Sequence, residues 1–378
     1  MKVLIVVTHL LGTGHLSRAL TLGRAFCDAG HDVWLASGGM PVPHMETGAV
    51  TLVQLPPVRS DGTNFITLLD TDGNPASETL FADRLELLLS TLDNIDPDVV
   101  ITELFPFGRR VLRKEFSAFL GACRDRKPRP LILSSIRDIL APPSKPDRAA
   151  KTIELVNECY DAVLVHSDPA VVDLDASWPV NEVLRPKLLY TGFVAPPAAG
   201  PHPEALGSGE VIVSAGGGEV GDQLFATALA AAQQDPSLRW RLLVGGGNHR
   251  IQRLSENAPE NVVVEAPRRD FRQMLYHAAC SVSMCGYNTT LDILQAQVPA
   301  VLVPFDDGGE VEQTLRARSL AQLPEVEVLP TASLSPKALL AAVSGIAGRC
   351  RNLETPPRMD GATATVGLVE DMIEGRSK

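Results

Sequence analysis

The sequence is poor in the features that mark secreted, membrane-spanning or nucleic-acid-binding chains. Its six cysteines (Cys27, Cys123, Cys159, Cys280, Cys285 and Cys350) include no CxxC pair and stand mostly among apolar neighbours, as reduced, buried thiols do. That excludes a disulfide framework and leads to the expectation of a cytoplasmic protein. Basic charge is short as well: 34 lysines and arginines face 45 acids, a net charge of -11, so no nucleic-acid partner is expected. No run of 18 apolar residues occurs, which excludes a spanning helix and leaves peripheral membrane contact open. The N-terminal "KVLIVV" is short, is followed by His9 and no small-residue cleavage site, and reads as a buried strand rather than a signal peptide. Metal-ligand spacing is missing too. "DTDG" (70–73) imitates a metal-binding DxD, but Asp70 and Asp72 adjoin a Gly-Asn-Pro turn signal and read as turn formers.

What is present is a repeated alternation. "KVLIVV" (2–7), "DVWLA" (32–36), "DVVIT" (98–102), "PLILSS" (130–135) and "AVLVHS" (162–167) are short apolar runs separated by helix-period segments. Runs apolar on both faces suit parallel strands covered by helices, the pattern of a doubly wound α/β sheet. The Pro, Gly and Ala rich stretch 194–209 lacks either periodicity and reads as a linker. The alternation then restarts with "EVIVSA" (210–215), "RWRLLVG" (239–245), "NVVVEA" (261–266), "CSVSMC" (280–285) and "PAVLVPF" (299–305). Two similar α/β domains are therefore expected, 1–193 and 210–350, with 351–378 as a tail and helix packing back on the first.

Each half opens with a strand, a glycine-rich turn and a helix: "VVTHLLGTGHLSRAL" and "VIVSAGGGEVGDQLF". Glycines let backbone N–H groups approach a phosphate at a helix N-terminus. In the first loop, Gly12, Thr13 and Gly14 resemble a dinucleotide fingerprint, but Ser17 replaces the third glycine, and Ser37, Gly38 and Gly39 stand where an acid should grip a ribose. A dehydrogenase is set aside on those two failures. His15, beside that loop, is a candidate base for an attacking hydroxyl or a phosphate ligand. In the second loop, Gly216, Gly217 and Gly218 spend more chain entropy than a turn requires.

"MCGYNTTLD" (284–292) joins a strand to a helix and holds more small polar residues than capping needs. Asn288 or Thr289 is expected at the N-cap. A phosphate at this helix start would use Gly286 for close approach and Asn288 and Thr289 as donors, with Asp292 one turn on accepting from a ribose diol. Glu312 and Gln313 follow the next strand at its C-terminal end, where open α/β sheets bind ligands, and suit sugar hydroxyls. "FPFGRRVLRKEF" (105–116) offers exposed-looking Phe105 and Phe107 with Arg109, Arg110, Arg113 and Lys114, either a contact for an anionic acceptor or a solvated helix face with Leu112 and Phe116 in the core.

The stretch "MCGYNTTLDILQAQVPAVLVPFDDGGEVEQ" resembles the donor-binding signature of two-domain GT-B glycosyltransferases, and "GTGH" with "GGGEVG" resembles the glycine loops of the bacterial N-acetylglucosaminyltransferases that complete the lipid-linked peptidoglycan precursor. The resemblance implies two Rossmann-like domains facing across a cleft. It implies diphosphate bound by Asn288 and Thr289, ribose by Asp292, donor sugar by Glu312 and Gln313, and a base read by backbone near Ala266 and Pro267. Met284 departs from the pattern, standing where many relatives have a phosphate-binding histidine. The implied reaction moves a hexose-type sugar from a nucleoside diphosphate sugar, with uridine the expected base, to an acceptor hydroxyl, inverting and without a metal or other cofactor. The acceptor is open, with an anionic or lipid-linked one compatible with the basic cluster. The alternatives are a nucleotide-sugar hydrolase or epimerase on the same cradle, and a non-catalytic nucleotide-sugar-binding module.

Overall fold

The computed structural model describes residues 1–43, 45–62, 64–216, 220–306, 311–347, 349 and 356–376. The chain divides into two compact units: Met1–Pro169 with Asp173–Ala195 and Arg358–Lys378, and Ala170–Val172 with Pro196–Pro357. Each is built as a strand-helix alternation on a parallel sheet.

The first unit runs β1 (Lys2–Val7), α1 (Gly14–Asp28), β2 (Asp32–Ser37), β3 (Thr51–Gln54), the hairpin β4 (Arg59–Asp61) and β5 (Asn64–Leu69), α2 (Glu78–Ile95), β6 (Val99–Glu103), α3 (Arg113–Asp125), β7 (Leu131–Arg137), α4 (Pro146–Cys159), β8 (Ala162–His166) and β9 (Leu188–Tyr190). Among the described residues its parallel sheet has the order β3-β2-β1-β6-β7-β8-β9. The period of two along β1 feeds two cores. Leu4 and Val6 pack with α2 and α3 residues such as Leu88 and Phe116, while Val3, Ile5 and Val7 pack with Leu16, Leu20 and Phe26 of α1 on the other face. Strands buried on both faces read as continuous apolar runs, which is why these were legible in the sequence.

The second unit runs β10 (Glu210–Ser214), α5 (Asp222–Gln234), β11 (Arg239–Leu243), α6 (Asn248–Ser255), β12 (Val262–Glu265), α7 (Phe271–Leu275), β13 (Cys280–Ser283), α8 (Tyr287–Ala296), β14 (Ala300–Leu302), α9 (Glu312–Leu320), β15 (Val326–Val328) and α10 (Pro336–Ile346). Its sheet order is β12-β11-β10-β13-β14-β15. The stretch 196–209 folds with this unit: Pro196 and Pro197 carbonyls accept from Arg272, His202 pairs with Asp270 at 3.0 Å, and Gly209 N–H donates to His277. The last helix, α11 (Gly361–Arg376), packs in the first unit, with Val366 and Val369 in the α1-side core and Glu370 2.9 Å from His31.

In both sheets the chain reverses its direction of travel beside the first strand, between β1 and β6 and between β10 and β13. Loops leaving adjacent strand ends part at that point, opening the crevice where doubly wound folds bind ligands. His15 and the 284–292 stretch stand at these two places.

Candidate active site

In the first unit, β1 ends at Val7 and the chain enters α1 at Gly14, so His15 and Arg18, three residues apart, share a face of the first turn. Glu103 is the last residue of β6, the strand paired with β1. His15 Nδ1 lies 2.8 Å from Glu103 Oε1, Arg18 donates to the same oxygen, and Ser135 at the end of β7 donates to Oε2 at 2.6 Å. Burial opposes ionisation of Glu103, yet the Arg18 charge and the His15 and Ser135 hydrogen bonds hold its pKa down to about 2. His15 is lowered to about 3, chiefly by burial, against the pull of Glu103 and aided by the Arg109 and Arg18 charges. The imidazole is therefore neutral near pH 7. The ionised carboxylate 2.8 Å away can only accept, which assigns the ring proton to Nδ1, with Arg18 Nη2 3.2 Å from that nitrogen donating to the carboxylate instead; among the described residues Nε2 has no partner, the side chain remaining 13% exposed. A neutral ring oriented in this way can take a proton on Nε2, with the carboxylate stabilising the imidazolium that forms.

Glu103 escaped the sequence reading, although an acid closing an otherwise apolar strand was a visible signal. The basic cluster is divided. Arg109 is largely buried with left-handed backbone (φ 58°), its Nε donating to the Thr8 carbonyl at 2.6 Å, and burial lowers its pKa to about 10. Arg110, Arg113 and Lys114 are exposed, while Leu112 and Phe116 are in the core. Phe105 and Phe107 correct the expectation of exposed aromatics: Phe105 stacks on Phe116 at 4.5 Å and Phe107 meets the Trp178 edge at 5.2 Å, both inside the core. Asp70 accepts from the backbone N–H groups of Asp72 and Asn74, the turn-forming role expected of it. Gly12 and Thr13, exposed, and Gly14, half-buried, form the entry to α1, and Gly12 has φ 66°.

In the second unit, the loop after β10 and the start of α8 flank the other reversal point. Gly221 opens α5 with φ 89°, and a Cβ there would stand 2.5 Å from that of Ala215, so only glycine fits. Gly216 has φ 81°, and both it and Gly286 have open space beside them, so a ligand can approach either backbone. Gly217 and Gly218 lie outside the described residues.

The helix start differs from the expectation. Gly286, not Asn288 or Thr289, is the N-cap, with extended backbone and no side-chain capping bond. The reason lies upstream. Met284 N–H bonds to Ser214, and Arg316 donates to the Cys285 carbonyl at 2.9 Å, which fixes the turn and lets the helix begin at Tyr287. Asn288, exposed, and Thr289, half-buried, then lie in the first turn, where N–H groups have no acceptor within the helix. That end also carries the positive pole of the helix.

Asp292, one turn on, is 17% exposed and lies 3.0 Å from Arg272 Nε of α7. Burial pushes its pKa up to about 6 despite that arginine. Arg272 further donates to the Pro197 carbonyl at 2.6 Å and to Gln295. Glu312 and Gln313 open α9, but both have protein partners: Glu312 is 2.9 Å from Arg316, and Gln313 Oε1 accepts from Phe305 N–H at 3.1 Å. Arg316 is fully buried and lies over the Tyr287 ring, tying α9 to α8. Ala266 and Pro267 are exposed in a loop braced by ion pairs of Arg268 with Asp270 (2.7 Å) and Glu265 (3.4 Å). Among the described residues no group of three or more His, Cys, Asp or Glu is arranged to hold a metal ion.

Comparison with known proteins adds to this geometry. The fold matches the crystal structure of Acinetobacter baumannii MurG with a TM-score of 0.62 over 98% of this chain and 100% of that one; at 15% identity this is a likeness of fold. An uncharacterized glycosyltransferase of Methanosarcina acetivorans is 24% identical over 334 residues, 84% of this chain and 82% of that protein. A UDP-N-acetylglucosamine--N-acetylmuramyl-(pentapeptide) pyrophosphoryl-undecaprenol N-acetylglucosamine transferase of Rhizobium leguminosarum bv. trifolii is 27% identical over 175 residues, 42% of this chain and only 45% of that enzyme. Residues 241–366 match the family model of the glycosyltransferase family 28 C-terminal domain. The chain has the GT-B fold, and a third of it matches the C-terminal domain of a glycosyltransferase family.

The matched stretch contains Ala266, Pro267, Gly286, Asn288, Thr289, Asp292, Glu312 and Gln313. It also contains Arg272 and Arg316, which sequence reasoning passed over because an arginine within a helix pattern has no signature of burial. No helix among the described residues is long and apolar enough to cross a membrane.

Proposed function

We propose that the protein transfers a hexose-type sugar from a nucleoside diphosphate sugar to an acceptor hydroxyl in the cytoplasm, with inversion and without a bound metal. His15 takes the proton of the attacking hydroxyl on Nε2 while Glu103 holds Nδ1–H. The first-turn N–H groups of α8 and the backbone at Gly216 receive the diphosphate, whose negative charge grows as the anomeric bond breaks. Asn288 and Thr289 add side-chain donors. Asp292 accepts from the ribose diol, which shares or displaces Arg272, and Glu312 and Gln313 meet the sugar by the same kind of exchange with Arg316 and Phe305. The loop at Ala266 and Pro267 reads the base through its backbone. Uridine is the proposed base, as in the named donor of the rhizobial relative.

The observation that carries the reading is the neutral His15 seated on buried Glu103 at the reversal point of one sheet, in a chain whose other sheet presents a helix N-terminus at the same place. The test is release of nucleoside diphosphate from a panel of sugar nucleotides, with and without alcohol acceptors. Release that requires an acceptor and is lost in His15→Ala supports transfer. Equal release without acceptor marks a hydrolase, and no release from any donor marks a binding module.

A further inference from the structure

Behind Glu103 lies a second histidine. His166, at the end of β8, is fully buried, its Nε2 3.0 Å from Ser135 Oγ and its Nδ1 2.8 Å from Thr191 Oγ1. The chain Thr191–His166–Ser135–Glu103–His15 thus runs from the residue after β9 through β8, β7 and β6 to α1 in unbroken hydrogen-bond contact. Ser135 has one hydroxyl proton and two close neighbours. If that proton went to His166, the Ser135 and Glu103 oxygens would face each other at 2.6 Å with no proton between them unless Glu103 were itself protonated. Arg18 and His15, both bonded to Oε1, oppose a proton on that carboxylate. The chain therefore runs one way. Ser135 donates to Glu103, His166 Nε2–H donates to Ser135, and His166 Nδ1 is left to accept from the Thr191 hydroxyl in competition with the Gly192 carbonyl 2.8 Å from that hydroxyl.

We infer that His166 is a positioning residue for His15: by donating to Ser135 it commits that hydroxyl to Glu103, and so keeps the carboxylate an acceptor that holds His15 with its proton on Nδ1 and its lone pair on Nε2. The inference rests on the reading of His15 as the base, but the tautomers belong to the free protein. The charged groups acting on this chain are Glu103 on β6 and Arg18 on α1, with Arg109 acting on His15 and Arg358 donating to the Thr191 carbonyl at 3.2 Å. Burial and the Arg18 charge lower His166 to about 3, which leaves it neutral and able to donate from only one nitrogen.

The experiment is nitrogen NMR of the full chain labelled at histidine, with His15 and His166 assigned from single variants. The expected result is His166 protonated on Nε2 and His15 on Nδ1 at pH 7. Finding His166 protonated on Nδ1 would overturn the inference whatever the enzyme's reaction. Turnover gives the second readout. His166→Phe, which cannot donate, should lower kcat about tenfold with donor KM unchanged, the loss of about one hydrogen bond to the base's support. His166→Gln, which keeps an N–H, should recover most of it. Should the phenylalanine variant not fold, Ser135→Ala breaks the same link and should show the same loss. Equal kcat in the glutamine and phenylalanine variants, or wild-type kcat in Ser135→Ala, would refute the role.

Discussion

Replacing Glu103 with glutamine removes one charge and little volume, and the structure gives the size of the consequence. The Glu103 and Arg18 side chains are 1% and 3% exposed, so the substitution leaves a guanidinium buried without its counter-charge. Breaking a buried pair from one side costs about 3–5 kcal/mol. For a unit of about 200 residues each kcal/mol is about 2–4 °C, so the first unit's melting should fall by roughly 6–20 °C. Activity should fall for a separate reason: the neutral amide stabilises the His15 imidazolium poorly, a loss of about 10²- to 10⁴-fold in kcat. The double variant Arg18→Met with Glu103→Gln separates the two effects. An apolar side chain in place of the stranded charge should restore most of the melting temperature while kcat stays low. Calorimetry with donor turnover measured well below melting is the assay. A Glu103→Gln protein that melts within about 1 °C of wild type, or a double variant with wild-type kcat, would show that this carboxylate does neither job.

Acid should weaken the first unit. His15 and His166 stay neutral in the fold down to about pH 3 but take protons near 6.5 when unfolded, and Glu103 stays ionised to about 2 against 4.5; in each case the unfolded chain binds more protons, so stability falls as pH drops from about 6.5, by about 1.4 kcal/mol per pH unit for each group in its window. A melting temperature unchanged between pH 7 and 5 would contradict this. Asp292, raised to about 6, is partly protonated in the free protein, and a ribose diol favours its ionised form; nucleoside diphosphate affinity should therefore drop as pH falls below 6, approaching tenfold per pH unit, with the dependence lost in Asp292→Asn, as read by calorimetric titration. Gly221→Ala forces a side chain into 2.5 Å contact at φ 89°, so stability should fall by about 1–3 kcal/mol and donor KM should rise, whereas Gly286→Ala, with open space, should spare the fold in thermal melts.

The sheets were legible because their strands are buried on both faces: "KVLIVV" and "EVIVS" carry the fold in a run of six or five residues. Legible too were the glycine turns, since Gly12 at the entry to α1 and Gly221 at the start of α5 both have positive φ. What stayed hidden depends on which strands become neighbours. Glu103 meets His15 only because β6 lies beside β1, a pairing of residues 88 apart that no local pattern records. Arg272 reaches Asp292, and Arg316 reaches the Cys285 carbonyl, by the same kind of juxtaposition. The N-cap was misplaced because side-chain preference pointed to Asn288 and Thr289, while the turn held by Arg316 starts the helix two residues before Asn288, on Gly286.

The claim at the centre is that a nucleoside diphosphate rests on the start of α8 with its ribose at Asp292. Titration of the full chain with uridine diphosphate, uridine monophosphate and thymidine diphosphate, repeated with Asp292→Ala, measures it directly. The expected result is micromolar binding of one diphosphate, at least tenfold weaker binding of the monophosphate, and a comparable loss in the variant. Binding of no diphosphate at millimolar concentration, or binding indifferent to Asp292, would contradict it.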